Sequence, residues 1–384
     1  MRWFIVRATL LVAVAVLGGL LYRLSDPFRS PPDDFVAFWS SARLFVAGAN
    51  PYDADELLRV ERSANWTKDH AYRVWEPPWA LVAMAPLAAL SYQDARFIWF
   101  VLHLALLVAA ADRLWLYYGG DRARRGVAWI AAVTFAPAVI GWRTGQLTVL
   151  VLAGVVAFLG LERRGRLGLA TAAFVVLASI KPHVVYLFCF GLGLWTVAAR
   201  RWRVGGVALV VAALLVGVPW AMRPSVLGDF LTTMVQSPPY QPASTIGTVL
   251  REISTATVGR DFYPLVFLPP AFGTAWLVRR WVRRREGWRW ESETPLLVAV
   301  SLLTAPFAWI YDAVLLLVPV ICALVPVLQR ADRRRSRAVL WGYGAINVGV
   351  FAQNVADVHP FLYFWVPTAL LIWYASATRG QRVS

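Results

Sequence analysis

The sequence predicts an all-α protein that crosses a membrane many times. Apolar runs near or above the roughly 17–25 residues needed to span a bilayer recur from end to end. Of the 384 residues, 59% are hydrophobic and 16% charged, whereas about a quarter of a soluble domain is charged. Arginines gather in short stretches between the runs. An open sheet cannot satisfy its backbone in lipid, so the runs read as helices.

The net charge of +16 points to a membrane surface rather than to nucleic acid. Its arginines sit in "ERRGR" (162–166), "RRWR" (200–203), "RRWVRRREGWR" (279–289) and "RADRRRSR" (330–337). That is the pattern of short cytoplasmic loops, which also suits anionic lipids of the inner leaflet. Cys189 and Cys322 lie far apart in apolar runs and read as buried free thiols. Four scattered histidines and two cysteines make neither a disulfide framework nor a zinc pattern.

The elements follow in order. Arg2 and Arg7 place the N-terminus inside, and the run at about 4–22 lacks a convincing signal-peptide cleavage site, so it reads as a retained first helix. It delivers a first outer loop, 23–76, with nine acidic and seven basic residues. "PPWALVAMAPLAAL" (77–90) is short for a crossing and is expected to dip into the interface. A dip there also leaves "DRARR" (121–125), after the run 96–118, on the inner side. The runs near 126–141, 146–161, 167–181, 183–199, 204–222, 263–281, 294–309, 312–328, 338–355 and 358–376 then alternate. The expectation is about 12 crossings (11–13) with both termini cytoplasmic. With no repeat and no separate soluble segment, residues 1–384 read as one domain, its second outer loop at 223–262.

Polar groups that do not suit lipid mark the candidate site. In "PPDDFVAFWSSARLFVAGANPYDADELL" (31–58), Phe35, Phe38, Ala42 and Phe45 fall at helical spacing, with Ser40, Ser41 and Arg43 off that stripe. The expected helix lies along the outer surface with its aromatics in the interface. Asp33 and Asp34 open it, either as caps or as functional acids. Arg143 and Gln146 sit in "GWRTGQ", Lys181 and His183 in "IKPH" where Pro182 breaks the helix, and Arg223, Arg251 and Arg260 in the second outer loop. Trp309, Tyr311 and Asp312 come together in "TAPFAWIYDAVLLLVP". Ionisable groups at such depth are costly and usually paired or functional, although a lone arginine can snorkel. His103 reads as a core residue and His359 as interfacial. Cations and a carboxylate on one face suggest a lipid phosphate, its oxygens held by arginine or lysine, with the carboxylate taking a proton from a hydroxyl.

Several motifs together resemble the polyprenyl-phosphomannose-dependent mannosyltransferases of glycosyltransferase family 87, within the GT-C superfamily. They are "DFVAFWSSARLFVAGANPYD" (34–53), "EPPWALVAMAPLAALS" (76–91), "GQLTVLVL" (145–152), "KP" (181–182) and "APFAWIYDAVLLLVP" (305–319), in the family's order over roughly 30–320. The resemblance implies a GT-C bundle whose first outer loop supplies the catalytic acid, and a polyprenyl phosphate sugar, most often mannose, as donor. By position, Asp34 is the implied general base with Asp33 as second choice. Arg143, Lys181, His183 and Arg251 are assigned to the donor phosphate; Gln146, Trp309, Tyr311, Asp312 and Tyr52 to sugar or acceptor. Related phosphatidylinositol mannoside enzymes carry histidine after the late Trp; "WIYD" departs from that and leaves the acceptor open.

Inverting transfer from such a donor needs no nucleotide-binding domain, because the leaving group is already a phosphate. No cofactor is expected, and no metal, since nothing near the Asp33–Asp34 pair completes a six-oxygen site. The expected partners are the polyprenyl-phosphate sugar, a lipid or glycan acceptor and the surrounding membrane lipids. The rival readings are a flippase or transporter of a charged lipid headgroup, a lipid-linked glycan polymerase or ligase, and a non-catalytic scaffold. Inverted halves with matched broken helices, the mark of many transporters, are not visible.

Overall fold

The computed structural model describes residues 15–236, 242–329 and 332–379. The start of the first run, with Arg2 and Arg7, lies outside them, as do the first two residues of "RADRRRSR". The described residues form α1 (Ala15–Leu24), α2 (Phe35–Val46), α3 (Ala54–Ser63), α4 (Pro78–Ala88), α5 (Tyr92–Tyr117), α6 (Gly126–Val133), α7 (Ala136–Thr144), α8 (Thr148–Glu162) and α9 (Leu167–Ala178). There follow α10 (Tyr186–Ala198), α11 (Trp202–Met222), α12 (Val226–Val235), α13 (Ile246–Val258), α14 (Leu268–Arg284), α15 (Trp290–Leu303), α16 (Leu317–Gln329), α17 (Arg333–Val355) and α18 (Trp365–Thr378).

Every run expected to be a crossing contains helix. α5, α11, the stretch Ile310–Gln329 and the stretch Pro360–Thr378 are long and apolar enough to cross a membrane, and the bent pair Arg122–Val133 with Ala136–Thr144 makes a fifth if counted as one span. α8, α9 and α10 are apolar but only 15, 12 and 13 residues long. The 63° bend between α6 and α7 follows from Pro137, which has no N–H for the preceding turn and whose ring clashes with the carbonyl four residues back. The Ala136 N–H left over is taken by the side-chain carbonyl of Asn347 at 2.6 Å.

The chain divides into two compact units. The first comprises the described residues of Met1–Leu104, Trp142–Gln146 and Leu215–Ser237. Its centre is α2, and here the expected one-sided helix is corrected: ten of its twelve residues are buried, Ser40 and Ser41 among them. α3 and α4 both pack against α2, so the face that looked polar is covered as well. Ser40 Oγ reaches the backbone of Ala37 and the Glu61 carboxylate, and Arg43 reaches the carbonyls of Ala88 and Leu90. α4 has eleven residues and Pro78 at its first position, a place where the missing N–H costs nothing. At 1.5 Å per residue it is about 16 Å long, too short to cross.

Gly145 fixes the register of this unit. Its φ of +71° is left-handed, and a Cβ built there would lie 2.6 Å from Phe35 Cβ. The Trp99 indole N–H donates to the Gly145 carbonyl at 2.7 Å, and the Trp99 ring lies nearly parallel to Phe35, 6.3 Å away. Only glycine allows both the turn and the approach of α2.

The second unit comprises the described residues of Ala105–Gly141, Leu147–Leu214 and Pro238–Ser384. α8 and α9 form a tight hairpin; a Cβ at Gly154 would stand 2.9 Å from Leu177 Cβ. Phe158, Phe174, Phe188 and Trp290 interlock with ring centroids 4.4–5.9 Å apart, spacings at which edge-on and offset aromatic pairs are favourable.

Gly145→Ala and Gly48→Ala separate the two constraints. Gly48 has φ +76° with nothing near its missing Cβ, so its substitution bears the backbone cost alone, about 1–2 kcal/mol. Gly145→Ala adds the overlap with Phe35 and is expected to lose about 1–3 kcal/mol more, read from unfolding midpoints of the detergent-solubilised protein. Equal losses would remove the Phe35 contact as a constraint.

Candidate active site

In the first unit the paired aspartates take different partners. Asp34 stands at the N-cap position of α2, yet its side chain makes no capping bond. Its carboxylate accepts from the Tyr72 hydroxyl at 2.6 Å and from the side-chain amide of Gln146. Tyr72 is held in turn through its N–H, which donates to Glu61 Oε2 at 2.9 Å, and by its edge-on contact with Trp66. Gln146 is buried, and its position follows from the Gly145 turn. Two neutral donors thus orient a half-buried carboxylate.

Asp33 is committed to Arg96. The Arg96 guanidinium is 2% exposed, donates to Asp33 Oδ2 at 2.7 Å and to the Ser30 carbonyl at 2.9 Å, and lies over the rings of Tyr92 and Phe100. Burial pushes the Asp33 carboxyl up to about 6; Arg96 pulls it back down, and neighbouring Asp34 adds to the rise. A cation buried this deeply must keep its partner, because removing one member of such a pair leaves an uncompensated charge.

In the second unit the buried carboxylate is Asp312, 0% exposed. Its Oδ1 accepts from the Thr148 hydroxyl and from Lys181 Nζ at 3.3 Å, and its Oδ2 accepts the Trp309 N–H at 2.9 Å. Lys181 Nζ also sits 4.9 Å from the centre of the Tyr311 ring, which stacks on Trp309 at 6.2 Å. The sequence motifs "KP" and "WIYD" therefore meet as one charged, aromatic cluster. His183, in the turn Pro182–Val184, lies within electrostatic reach of Asp312 and Lys181.

Arg143, in the last turn of α7, is exposed and makes no ion pair or side-chain hydrogen bond among the described residues. The guanidinium of Arg251, a second-outer-loop candidate for the donor phosphate, is engaged by Asp261 through two contacts, Nε–Oδ1 at 2.8 Å and Nη2–Oδ2, and lies over Tyr263. Tyr52, assigned to sugar or acceptor, is 5% exposed; its hydroxyl bonds the Glu76 carbonyl and its ring packs on Phe230. Sequence reasoning missed Tyr72, Arg96 and Thr148. Arg96, charged at the head of the apolar run "RFIWFVLHLALLVAA", gave a signal; Thr148, in the quoted "GQLTVLVL", gave a weaker one; Tyr72, in a polar loop, gave none.

Glu61 gives the first unit a pH dependence. It is fully buried between Ser40 and the Tyr72 backbone, and burial pushes its carboxyl up to about 7. The folded state therefore holds a proton that the unfolded chain, with a glutamate near about 4.3, has released. That contribution is complete below the unfolded value and is lost as pH rises through about 7. The unfolding midpoint of the wild type should fall between pH 5 and pH 8, measured at about unit steps in detergent. Glu61→Gln should flatten the fall, leaving the smaller share from Asp33; an unchanged slope would dismiss Glu61 as its source.

Asp312→Ala, leaving Lys181 buried without this partner, is expected to cost about 3–5 kcal/mol. The same unfolding measurement checks it, and a change under about 1 kcal/mol would contradict the pairing.

The model of glycosyltransferase family 87 matches residues 76–306. Two crystal structures of ArnT from Cupriavidus metallidurans, one in the apo state and one bound to undecaprenyl phosphate, are similar at 14% sequence identity, over 96% of this chain and 76% of theirs, with TM-scores of 0.44 and 0.39. No curated protein matches the chain. With more than half of its length matched by the family, the chain belongs to glycosyltransferase family 87.

Proposed function

We propose that this membrane glycosyltransferase takes a sugar, mannose in the first instance, from a polyprenyl phosphate and moves it to a lipid or glycan hydroxyl with inversion. The observation that carries the reading is the Asp34 carboxylate, oriented by Tyr72 and Gln146 and not spent on capping α2. Asp33 is a poorer candidate because Arg96 holds it.

The acceptor oxygen attacks the anomeric carbon as its proton passes to Asp34. The bond from that carbon to the phosphate oxygen breaks, and the electron pair leaves with the polyprenyl phosphate. General-base assistance of this kind supplies about 10²–10⁴ in rate. Arg143, exposed and with no ion pair among the described residues, is assigned to the donor phosphate; Lys181, paired with Asp312, is another residue that the family resemblance assigns there. Arg251 is left out of this set because Asp261 engages it.

The reaction is placed on the outer face of about 12 crossings, with both termini inside. In support, Thr148, bonded to Asp312, opens α8, while "RRGR" follows its other end. Fifteen residues of helix separate the two by about 22 Å.

Asp34→Asn is expected to lower transfer from radiolabelled polyprenyl-phosphomannose to a panel of lipid acceptors by about 10²-fold or more. Protein level and donor binding should stay near those of the wild type. Transfer at the wild-type rate would overturn the assignment of the base; transport without transfer would favour the flippase reading.

A further inference from the structure

A groove of about 510 Å³ opens between the second half of α5, from Leu106 onward, and α8. That size suits a ligand site, and its construction is regular. On α5 the lining recurs at Ala109, Ala110 and Arg113, and on α8 at Ala153, Ala157 and Gly160. These spacings of three and four residues put one face of each helix toward the groove. The small residues leave the space empty: a Cβ built at Gly160 meets nothing within 4 Å.

Four arginines edge this space: Arg113, Arg122, Arg163 and Arg164. Arg163 is held by the Tyr117 carbonyl and lies 5.1 Å over the Tyr117 ring. Arg113, Arg122 and Arg164 are exposed and make no ion pair or side-chain hydrogen bond among the described residues. No carboxylate lines the groove; nearby Asp112 accepts the Trp129 indole N–H, and Asp121 caps the turn Arg122–Arg124. An apolar trough ending in three guanidinium groups that make no ion pair among the described residues matches one class of molecule, an amphiphile with a phosphate head and a hydrocarbon chain.

We propose that this groove binds an anionic phospholipid of the bilayer, its phosphate among Arg113, Arg122 and Arg164 and one acyl chain along the α5–α8 trough. The site lies at the arginine-rich end of α8, opposite Thr148, the residue bonded to Asp312. Basic pockets of this kind between membrane helices hold lipid headgroups. The bound lipid would brace α5 against α8 without entering the reaction.

The test uses the full chain in detergent, with phosphatidylglycerol or phosphatidylcholine added. Retained lipid is counted by native mass spectrometry, and the unfolding midpoint is followed in parallel. Phosphatidylglycerol should be retained and raise the midpoint, while phosphatidylcholine does neither. Arg113→Gln, Arg122→Gln and Arg164→Gln combined should weaken phosphatidylglycerol retention by about tenfold or more. Gly160→Leu, which grows into open space, should weaken it as well while leaving the lipid-free midpoint in place. Glycerol phosphate at equal concentration should not displace the lipid. Equal retention of both lipids, or wild-type retention by both variants, would overturn the proposal; displacement by glycerol phosphate would replace it with a small-anion site.

Discussion

A cation that enters an apolar interior must bring its partner with it. Arg96 and Lys181 are both nearly fully buried, and each is met by a carboxylate supplied from far along the chain. Leaving either unmatched costs more than a typical helix contact returns. This requirement sorts the two adjacent aspartates. Asp33 neutralises Arg96, so the neighbouring carboxylate can be oriented by a hydroxyl and an amide. The same requirement explains why Glu293, 1% exposed, is met by both Arg280 and Arg284 at the end of α14.

Backbone geometry supplies the second layer. α2 can approach the Gly145 turn only because position 145 has no side chain, and that turn delivers Gln146 to Asp34. The Asp34 environment is thus assembled from α2, the loop after α3 and the end of α7, none of which contributes more than one or two polar atoms. Glu61 and Trp99 work behind it, holding the backbone of Tyr72 and of Gly145 in place. The Asp312 environment is built in the same way from the starts of α8 and the turns at 182 and 310.

Much of the helical layout was legible in the sequence, because apolar runs and proline breaks act locally. Pro182 marks a break that the structure contains, whereas the bend beside Pro137 fell inside a run read as one crossing. The pairing "KP" with "WIYD" was legible only as two separate oddities, since Asp312 lies 131 positions beyond Lys181. Reading α2 as a surface helix failed because periodicity reports which residues are apolar, not how many neighbours will cover them; Ser40 and Ser41 are buried against partners no pattern announces. Arg251 was chosen for its residue type in the second outer loop and Tyr52 for its place in a motif, and the structure gives Asp261 and the Glu76 carbonyl among their contacts. Tyr72 was invisible: a tyrosine in a polar loop looks like any other until the fold brings its hydroxyl to Asp34.

The elbow between α6 and α7 has an implication for how the chain is made. The group that satisfies Ala136 belongs to Asn347, 211 residues downstream. At ribosomal speeds of about 5–20 residues per second, that stretch takes about 10–40 s to synthesise. Throughout this interval the kinked segment is already available to the translocation machinery while its clasp has yet to be translated. Its final angle is therefore a late event in biogenesis, set when the penultimate long helix arrives and not when the segment first enters the membrane.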